Sequence, residues 1–173
     1  APDLATLHAA LEVHAEQGHC LLKGELQRPL VNERRAGATN ALTPTQYIVL
    51  DLDFAEGFDS IDDFLAALQL EGVSYILHHS ASSGIRCAPG LRSHIIMMLA
   101  QPVMPSLLKS WLAGLNLRIP ELRSQCQLSA SGFSLKWALD VTTCQNDKLI
   151  YIADPLVNGI DDPMAGRRLE LHH

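Results

Sequence analysis

Two aspartates, Asp51 and Asp53, stand one residue apart at the end of the apolar run 47–50. Side chains alternate along a strand, so both carboxylates point to the same side. Two adjacent like charges repel each other, and the pKa of one carboxyl rises unless a cation compensates the pair. Mg²⁺ and Mn²⁺ prefer hard oxygen ligands of this kind. The spacing therefore indicates a divalent-cation site, and the alternative is a strand end with two solvated aspartates.

Two further segments carry polar groups that could join this pair. One runs from Ser83, in a loop of small residues, to Arg92 and His94 at the start of an apolar strand. The other is an apolar stretch that ends at Asp140 and is followed by Lys148. Each group lies at a strand end or in the adjoining loop, where a sheet can present it to a ligand. Taken alone, His94 is explained as a structural histidine and Asp140 as a turn residue.

The elements that must position these groups follow from hydrophobic periodicity and from helix and turn signals. Ser60 is a candidate N-cap, and Pro105 opens a helix whose expected buried side includes Leu107 and Leu108. Residues 23–46 are expected to form a long loop. Helices are predicted at 4–16, 60–70 and from 105, and strands at 20–22, 47–53, 73–77, 94–99, 135–141 and 149–152.

The length of 173 residues predicts one domain, here residues 1–165, followed by a tail, 166–173. The last five residues look like the remnant of an expression tag, so His172 and His173 are excluded from any site. No apolar run reaches the length of roughly 18 residues that a membrane span needs. The four cysteines form no Cys-x-x-Cys pair. This argues against a zinc site and favours a reduced, cytoplasmic protein.

The formal net charge of −6 argues weakly against a nucleic-acid binder, but the charge is unevenly distributed. Residues 84–148 hold seven basic against three acidic side chains, a net charge of +4. A basic middle section in an acidic chain could face phosphates. The alternative is a set of scattered, solvated lysines and arginines.

Taken in order, three segments resemble the motifs of the archaeo-eukaryotic primase superfamily, in its plasmid, phage and mobile-element branch. They are Leu50-Asp51-Leu52-Asp53, the segment from Ser82-Ser83-Gly84 to His94, and Ala138-Leu139-Asp140. Segment 148–155 also looks like the one that follows the third motif in that branch. The resemblance covers roughly residues 20–160. One departure is Arg92, which stands where the family often has Ser two positions before the histidine.

The resemblance implies an α/β (α+β) fold, with a mixed-sheet core related to the RRM and ferredoxin-like fold and an N-terminal helical and loop extension. It implies a DNA primase or primase-polymerase that makes short primers for a plasmid, phage or integrative element. The expected partners are a single-stranded DNA template, NTPs or dNTPs, and a replicative helicase on the same or a separate chain. No membrane partner is expected.

Nucleotidyl transfer can use two metal ions, here Mg²⁺ or Mn²⁺, held by shared carboxylates. The expected metal ligands and catalytic residues are Asp51, Asp53 and Asp140. The triphosphate needs hydrogen-bond donors and positive charge. The expected nucleotide-binding residues are Ser83, Arg92, His94 and Lys148, and Lys23 and Arg34 are weaker candidates for contact with template or nucleotide.

Two other functions remain open. In a haloacid-dehalogenase-like phosphatase, Asp51 would be the nucleophile and Asp53 the acid/base. That family normally has Gly-Thr after the second aspartate, where this chain has Phe54-Ala55. The primase needs His94 and Asp140, and the phosphatase does not. The third possibility is a non-catalytic single-strand-binding module, which would stack bases on exposed aromatics, but aromatics make up only 5% of the chain.

Overall fold

A computed structural model describes residues 3–85 and 90–173. The helices are α1 (Leu4–Glu16), α2 (Ile61–Ala67), α3 (Pro105–Arg118) and α4 (Pro120–Gln125), with a short 3-10 helix at Val141–Cys144. The strands are β1 (Cys20–Leu22), β2 (Thr45–Ala55), β3 (Tyr75–His79), β4 (Leu91–Val103), β5 (Gln127–Leu128), β6 (Leu135–Lys136), β7 (Leu149–Tyr151) and β8 (Leu169–His172).

A four-stranded sheet in the order β2-β4-β3-β8 forms the centre of the fold. The apolar strand β4 lies between β2 and β3, which explains why its middle residues are buried on both faces. The predicted α+β class is confirmed. The sheet differs from the expected mixed sheet, because every strand pair in the described residues is antiparallel.

The two faces of the sheet are covered by different layers. Leu50 and Leu52 of β2 face α2, α3 and α4, in a core that also contains Phe64 and Leu112. Val49 belongs to the opposite face, where Ile76 and Ile96 pack with α1 and β7. The period of two along β2 therefore places Asp51 and Asp53 on the same face as α1, beyond the end of its apolar core.

The helix starts follow their capping residues. Asp3 caps α1 and accepts a hydrogen bond from the Thr6 amide at 2.7 Å. Ser60 caps α2 as expected and accepts from the Asp63 amide at 3.1 Å. Helix α2 ends at Ala67, three residues before the expected end, and Gln69 then adopts a left-handed φ of 60°.

Three local predictions were wrong. Residues 135–141 do not form one strand: β6 ends at Lys136, and a 3-10 helix begins at Val141. Leu107 is 62% exposed, because the buried stripe of α3 runs through Leu108, Leu112 and Leu115 instead. Strand β3 begins at Tyr75, two residues after the predicted start.

The C-terminal residues expected to be a tag remnant form strand β8, which pairs with β3 along the edge of the sheet. Cys20, Cys126 and Cys144 carry free thiols, and Cys87 lies outside the described residues. No helix in the described ranges is both long enough and apolar enough to cross a bilayer.

Candidate functional site

Strand register brings three of the predicted site residues, Asp140, Asp51 and His94, into one row across the sheet. Asp51 of β2 lies opposite His94 of β4, and His94 lies opposite His78 of β3. On the outer side of β2, an isolated bridge pairs Leu52 with Leu139. The register of that bridge places Asp140 beside Asp51. The order across this row is therefore Asp140, Asp51, His94 and His78, although these residues are far apart in the sequence.

Asp51 and His94 are in direct contact. The Nε2 atom of His94 lies 3.3 Å from Oδ1 of Asp51, and both side chains are mostly buried. On its other side, Nδ1 of His94 lies 3.0 Å from Nδ1 of His78. His78 had no role in the sequence interpretation. Its position next to a candidate histidine depends on strand pairing, and no local pattern in the sequence indicates it.

Asp53 lies in the next row, opposite Arg92, and remains exposed. Although the side chain is exposed, neighbouring protein atoms displace part of the water around its carboxyl, which raises its pKa, and the negative charges of Asp51 and Asp140 raise it further. His94 and Lys136 act in the opposite direction but do not cancel the shift. The carboxylates thus repel one another as predicted from the sequence, and a bound cation would relieve this repulsion.

Asp140 caps the 3-10 helix and is already hydrogen-bonded. Its Oδ1 accepts from the Thr142 amide at 2.8 Å, and its Oδ2 accepts from the Thr142 hydroxyl and from Nζ of Lys148, both at 2.7 Å. Burial alone would raise the pKa of Asp140, but these hydrogen bonds and the charge of Lys148 lower it overall. Asp140 is therefore held as a carboxylate next to Asp51.

Asn116 fixes the main chain that carries Asp140. It is fully buried on α3, donates to the Leu139 carbonyl at 2.9 Å and accepts from the Leu139 amide at 2.9 Å. These two hydrogen bonds replace the strand pairing that residues 137–140 otherwise lack on that side. The sequence contained a signal for this role: Asn116 follows Leu112 by four residues, so an amide interrupts the apolar stripe of α3.

The loop before β4 is held against Arg92. Ser83 is buried and donates from Oγ to the Arg92 carbonyl at 2.6 Å. Nη1 of Arg92 lies 3.4 Å from Oγ of Ser82. Arg168 anchors the same region by donating to the Ser80 carbonyl at 2.7 Å while pairing with Asp162. Ser83 thus supports the position of Arg92, and its hydroxyl points to protein in this structure.

A cavity of about 610 Å³ opens beside Asp53 and Asp140. The β5–β6 hairpin and the end of α4 form its other walls. Its lining residues are Asp53, Glu56, Ser124, Gln125, Gln127, Leu135, Lys136, Trp137, Ala138, Asp140 and Thr142. The cavity combines carboxylates, a lysine, amides and an indole, which suits a ligand that has both a polar and a planar part.

The candidate ligands meet part of what Mg²⁺ and Mn²⁺ require. Asp51 and Asp53 supply the hard oxygen atoms that Mg²⁺ and Mn²⁺ prefer, and the charge of Asp51 raises the pKa of Asp53. Within the described ranges, however, no three His, Cys, Asp or Glu side chains lie at metal-binding distances. The carboxylate of Asp140 is already paired with the ammonium group of Lys148. Asp51 and Asp53 therefore stay candidate ligands, and the Asp140 carboxylate could join them only after releasing Lys148.

Of the two weaker candidates, Lys23 is only 2% exposed. Its Nζ donates to the Thr45 hydroxyl at 2.8 Å and to the Tyr47 carbonyl at 2.7 Å, and burial lowers its pKa to about 8. Lys23 therefore joins the end of β1 to β2 and is not available to a template in this structure. Arg34 lies exposed in the long loop.

Comparison with protein-family models, with curated proteins and with solved structures finds no match to this chain.

Proposed function

We propose that this chain is a metal-dependent nucleotidyltransferase domain of the primase or primase-polymerase type, which extends or starts chains on a single-stranded DNA template. The observation that supports this most strongly is the row formed by Asp140, Asp51 and His94, with Asp53 in the next row. Residues from three distant segments share one end of the sheet, and two-metal nucleotidyl transfer uses carboxylates gathered in this way.

In this proposal, Asp51 and Asp53 hold Mg²⁺ or Mn²⁺, and Asp140 is the third carboxylate. When bound, the divalent ions activate the attacking 3′-hydroxyl and stabilise the leaving pyrophosphate oxygens. His94 and Arg92 lie beside the two β2 aspartates on the adjacent strand, where they can donate to the triphosphate.

Lys148 has a double role in the proposal. Without nucleotide it neutralises Asp140. A triphosphate offers the same ammonium group a more highly charged partner, so Lys148 can move from Asp140 to a phosphate oxygen. That exchange leaves the Asp140 carboxylate available at the moment when the substrate arrives. Binding of nucleotide and completion of the carboxylate set would then be coupled.

The cavity next to Asp53 is the proposed place for the base or the template strand. Trp137 and Lys136 line it, and they offer an aromatic surface and a positive charge. Phe133, at the turn of the neighbouring hairpin, is 96% exposed. An exposed aromatic ring on the hairpin that lines the cavity is a suitable stacking surface for an unpaired base. Ser83 would act indirectly, through its hydrogen bond to the main-chain carbonyl of Arg92.

The two other functions explain fewer observations. A phosphatase that uses Asp51 and Asp53 gives no role to His94 and Asp140, although both lie beside them. A single-strand-binding module of the ferredoxin-like type needs an open sheet face, whereas apolar cores cover both faces of this sheet. An accompanying helicase, a mobile-element context and a cytoplasmic location are parts of the primase proposal that rest on the sequence resemblance.

The test is a synthesis assay with single-stranded DNA, labelled NTPs and dNTPs, and Mn²⁺ or Mg²⁺. We expect oligonucleotide products from the wild type. Synthesis should fall by at least about 100-fold in Asp51→Ala and Asp53→Asn, because each substitution removes a carboxylate that the proposal assigns to the divalent ions. Asp63→Asn, an exposed carboxylate on α2, is the matched control and should retain synthesis. Melting curves establish that each variant is folded.

Release of phosphate from a generic phosphomonoester without any oligonucleotide product would replace this proposal with the phosphatase. Binding of single-stranded DNA without either reaction would favour the non-catalytic module. Equal synthesis by Asp51→Ala and the wild type would contradict the site itself.

A further inference from the structure

Arg168 is a buried arginine that contacts the loop between β3 and β4. It immediately precedes β8 and is 4% exposed. Its main-chain carbonyl accepts a hydrogen bond from the His79 amide at 2.9 Å, which extends the pairing of β8 with β3 by one residue. The sheet therefore fixes the main chain from which this side chain extends toward the loop.

The guanidinium group of Arg168 bridges two segments of the chain. Its Nε and Nη2 atoms donate to the two carboxylate oxygens of Asp162 at 3.0 and 2.7 Å. Its Nη1 atom donates to the Ser80 carbonyl at 2.7 Å and to the His79 carbonyl at 3.3 Å. A planar guanidinium has five N–H groups, so it can pair with a carboxylate and donate in a second direction at the same time. An ammonium group does not offer this geometry.

The Ser80 carbonyl belongs to a turn that contacts Arg92. The same carbonyl accepts from the Ser83 amide at 2.9 Å, which closes the turn over residues 80–83. The Ser80 amide and the Ser83 hydroxyl both donate to the Arg92 carbonyl, at 3.3 and 2.6 Å. The residue pairs between β3 and β4 end at His79 and Ser93. On the β3 side, Arg92 is therefore held by this turn.

A second contact joins the loop to the segment of Asp162. Gly84 has a left-handed φ of 72°, and a Cβ atom at this position would lie 2.9 Å from Cγ of Pro163. Pro163 directly follows Asp162, whose carboxylate also accepts from the Met164 amide at 2.9 Å. Residues 162–164 thus lie directly against the loop, and the ion pair with Arg168 connects them to the start of β8.

We propose that Arg168 is a positioning residue for Arg92: by bridging Asp162 and the Ser80 carbonyl, it fixes the turn over 80–83 that holds Arg92 opposite Asp53. In the transferase proposed above, Arg92 donates to the triphosphate, so the bridge raises the affinity for nucleotide. That consequence rests on the proposed function. The effect of the bridge on the turn does not, so the two can be tested separately.

The first measurement is amide hydrogen exchange, followed by NMR on the full chain without metal or nucleotide. The informative variant is Arg168→Met, which keeps an unbranched side chain but removes every donor. We expect the Ser83 amide to exchange at least about tenfold faster than in the wild type, because its acceptor, the Ser80 carbonyl, loses its charged anchor. A general loss of stability would instead accelerate exchange at Ile96, in the fully buried centre of β4, without this local effect.

Arg167→Met is the matched control. Arg167 is the preceding residue, is exposed, and donates to the Pro163 carbonyl at 3.3 Å. Exchange of the Ser83 amide in this variant should equal that of the wild type. If Arg168→Met fails to fold, Arg168→Lys takes its place, because an ammonium group keeps the charge but loses the bridge. Exchange at Ser83 that is unchanged in the folded Arg168 variant, or equally accelerated in Arg167→Met, would overturn the proposal.

The second measurement is the steady-state kinetics of synthesis with Mn²⁺. We expect Arg168→Met to raise the KM for NTP about five- to tenfold and to leave kcat within about twofold, because the turn positions Arg92 but not the carboxylates. Arg167→Met should keep both constants.

The two measurements separate the two proposals. If the wild type makes no product, the proposed function fails, while exchange at Ser83 still decides whether the bridge fixes the turn. Faster exchange at Ser83 together with an unchanged KM for NTP would overturn the positioning of Arg92. An equal loss of kcat in place of a raised KM would show a general structural effect and would overturn it as well.

Discussion

At the scale of single residues, Asp140 shows how one side chain can serve both the fold and the site. It accepts hydrogen bonds from Thr142 that start the 3-10 helix, and it pairs with Lys148. Both side chains of the ion pair are less than one third exposed. The pair is therefore less screened than a surface ion pair, and the lowered pKa of Asp140 has a measurable consequence for stability.

The prediction concerns Lys148→Met. Because the folded state lowers the pKa of Asp140, its contribution to stability is present above the ordinary Asp value and disappears as the pH falls through the lower, folded value. We expect Lys148→Met to lower the free energy of unfolding by about 1 kcal/mol or less at neutral pH. This destabilisation should become progressively smaller as the pH falls below the ordinary pKa of an aspartate. Urea denaturation at several pH values measures this.

The control is the same substitution in an Asp140→Asn background, where no charge is left to pair and Lys148→Met should have little effect at any pH. A destabilisation by Lys148→Met that is constant from neutral to strongly acidic pH would show that lost packing, and not the ion pair, causes it.

At the scale of elements, helix α3 and strand β2 hold the segment of Asp140 from both sides. Asn116 of α3 forms two hydrogen bonds with the main chain of Leu139, and Leu52 of β2 pairs with the same residue. This explains why residues 137–140 stay extended without belonging to a regular strand. The position of Asp140 therefore depends on the amide of Asn116, which is 24 residues away in the sequence.

We expect Asn116→Leu to lower the free energy of unfolding by about 2–3 kcal/mol, because the amide and carbonyl of Leu139 lose their buried partners. Synthesis should fall by more than the decrease in folded protein explains, since the main chain that carries Asp140 is no longer held by Asn116. Chemical denaturation and the synthesis assay, both at a temperature where the variant is folded, measure the two effects.

Leu112→Ala is the matched control. Leu112 is also fully buried on α3, and its truncation destabilises by about 2–5 kcal/mol through a cavity while leaving the hydrogen bonds of Asn116 in place. Synthesis per folded molecule should be retained in Leu112→Ala. Equal losses of synthesis in the two variants would show that general loosening of α3, and not the clamp on Leu139, is responsible.

At the scale of the whole molecule, the carboxylates gather at one end of a sheet whose two faces are otherwise apolar and covered. The pKa of Asp53 is raised, first by loss of surrounding water and then by the negative charges of Asp51 and Asp140. A ligand that binds only the folded state stabilises it according to its concentration. A divalent ion at this site should therefore stabilise the entire domain.

We expect saturating Mn²⁺ to raise the melting temperature of the wild type by about 5 °C or more, corresponding to roughly 2–3 kcal/mol at about 100 times the Kd. Asp53→Asn should abolish this rise, and Asp63→Asn, outside the site, should keep it. Melting curves with Ca²⁺ in place of Mn²⁺, and with EDTA added, distinguish binding of a specific ion from general screening of charge. A rise that is equal in wild type and Asp53→Asn would contradict the metal site.

The sequence by itself determined the local features. The period of 3.6 predicted α1, the serine cap predicted the start of α2, and the alternation along β2 placed Asp51 and Asp53 on one side. These features depend on residues within a few positions of one another, where backbone geometry and solvent exposure dominate. The sequence also named Asp140 as a candidate metal ligand, a role that stays a prediction, although the expected strand over 135–141 did not form.

Only the tertiary structure decided which residues meet. The pairing of β2 with β4 and of β4 with β3 sets Asp51, His94 and His78 side by side, and Asn116 replaces a strand partner for Leu139. Strand order and register arise from packing between segments that are far apart in the chain, as in the pairing of His78 with His94 and of Cys20 with Tyr151. Local periodicity contains no information about such pairings, because it reports which face of an element is buried and not which element buries it.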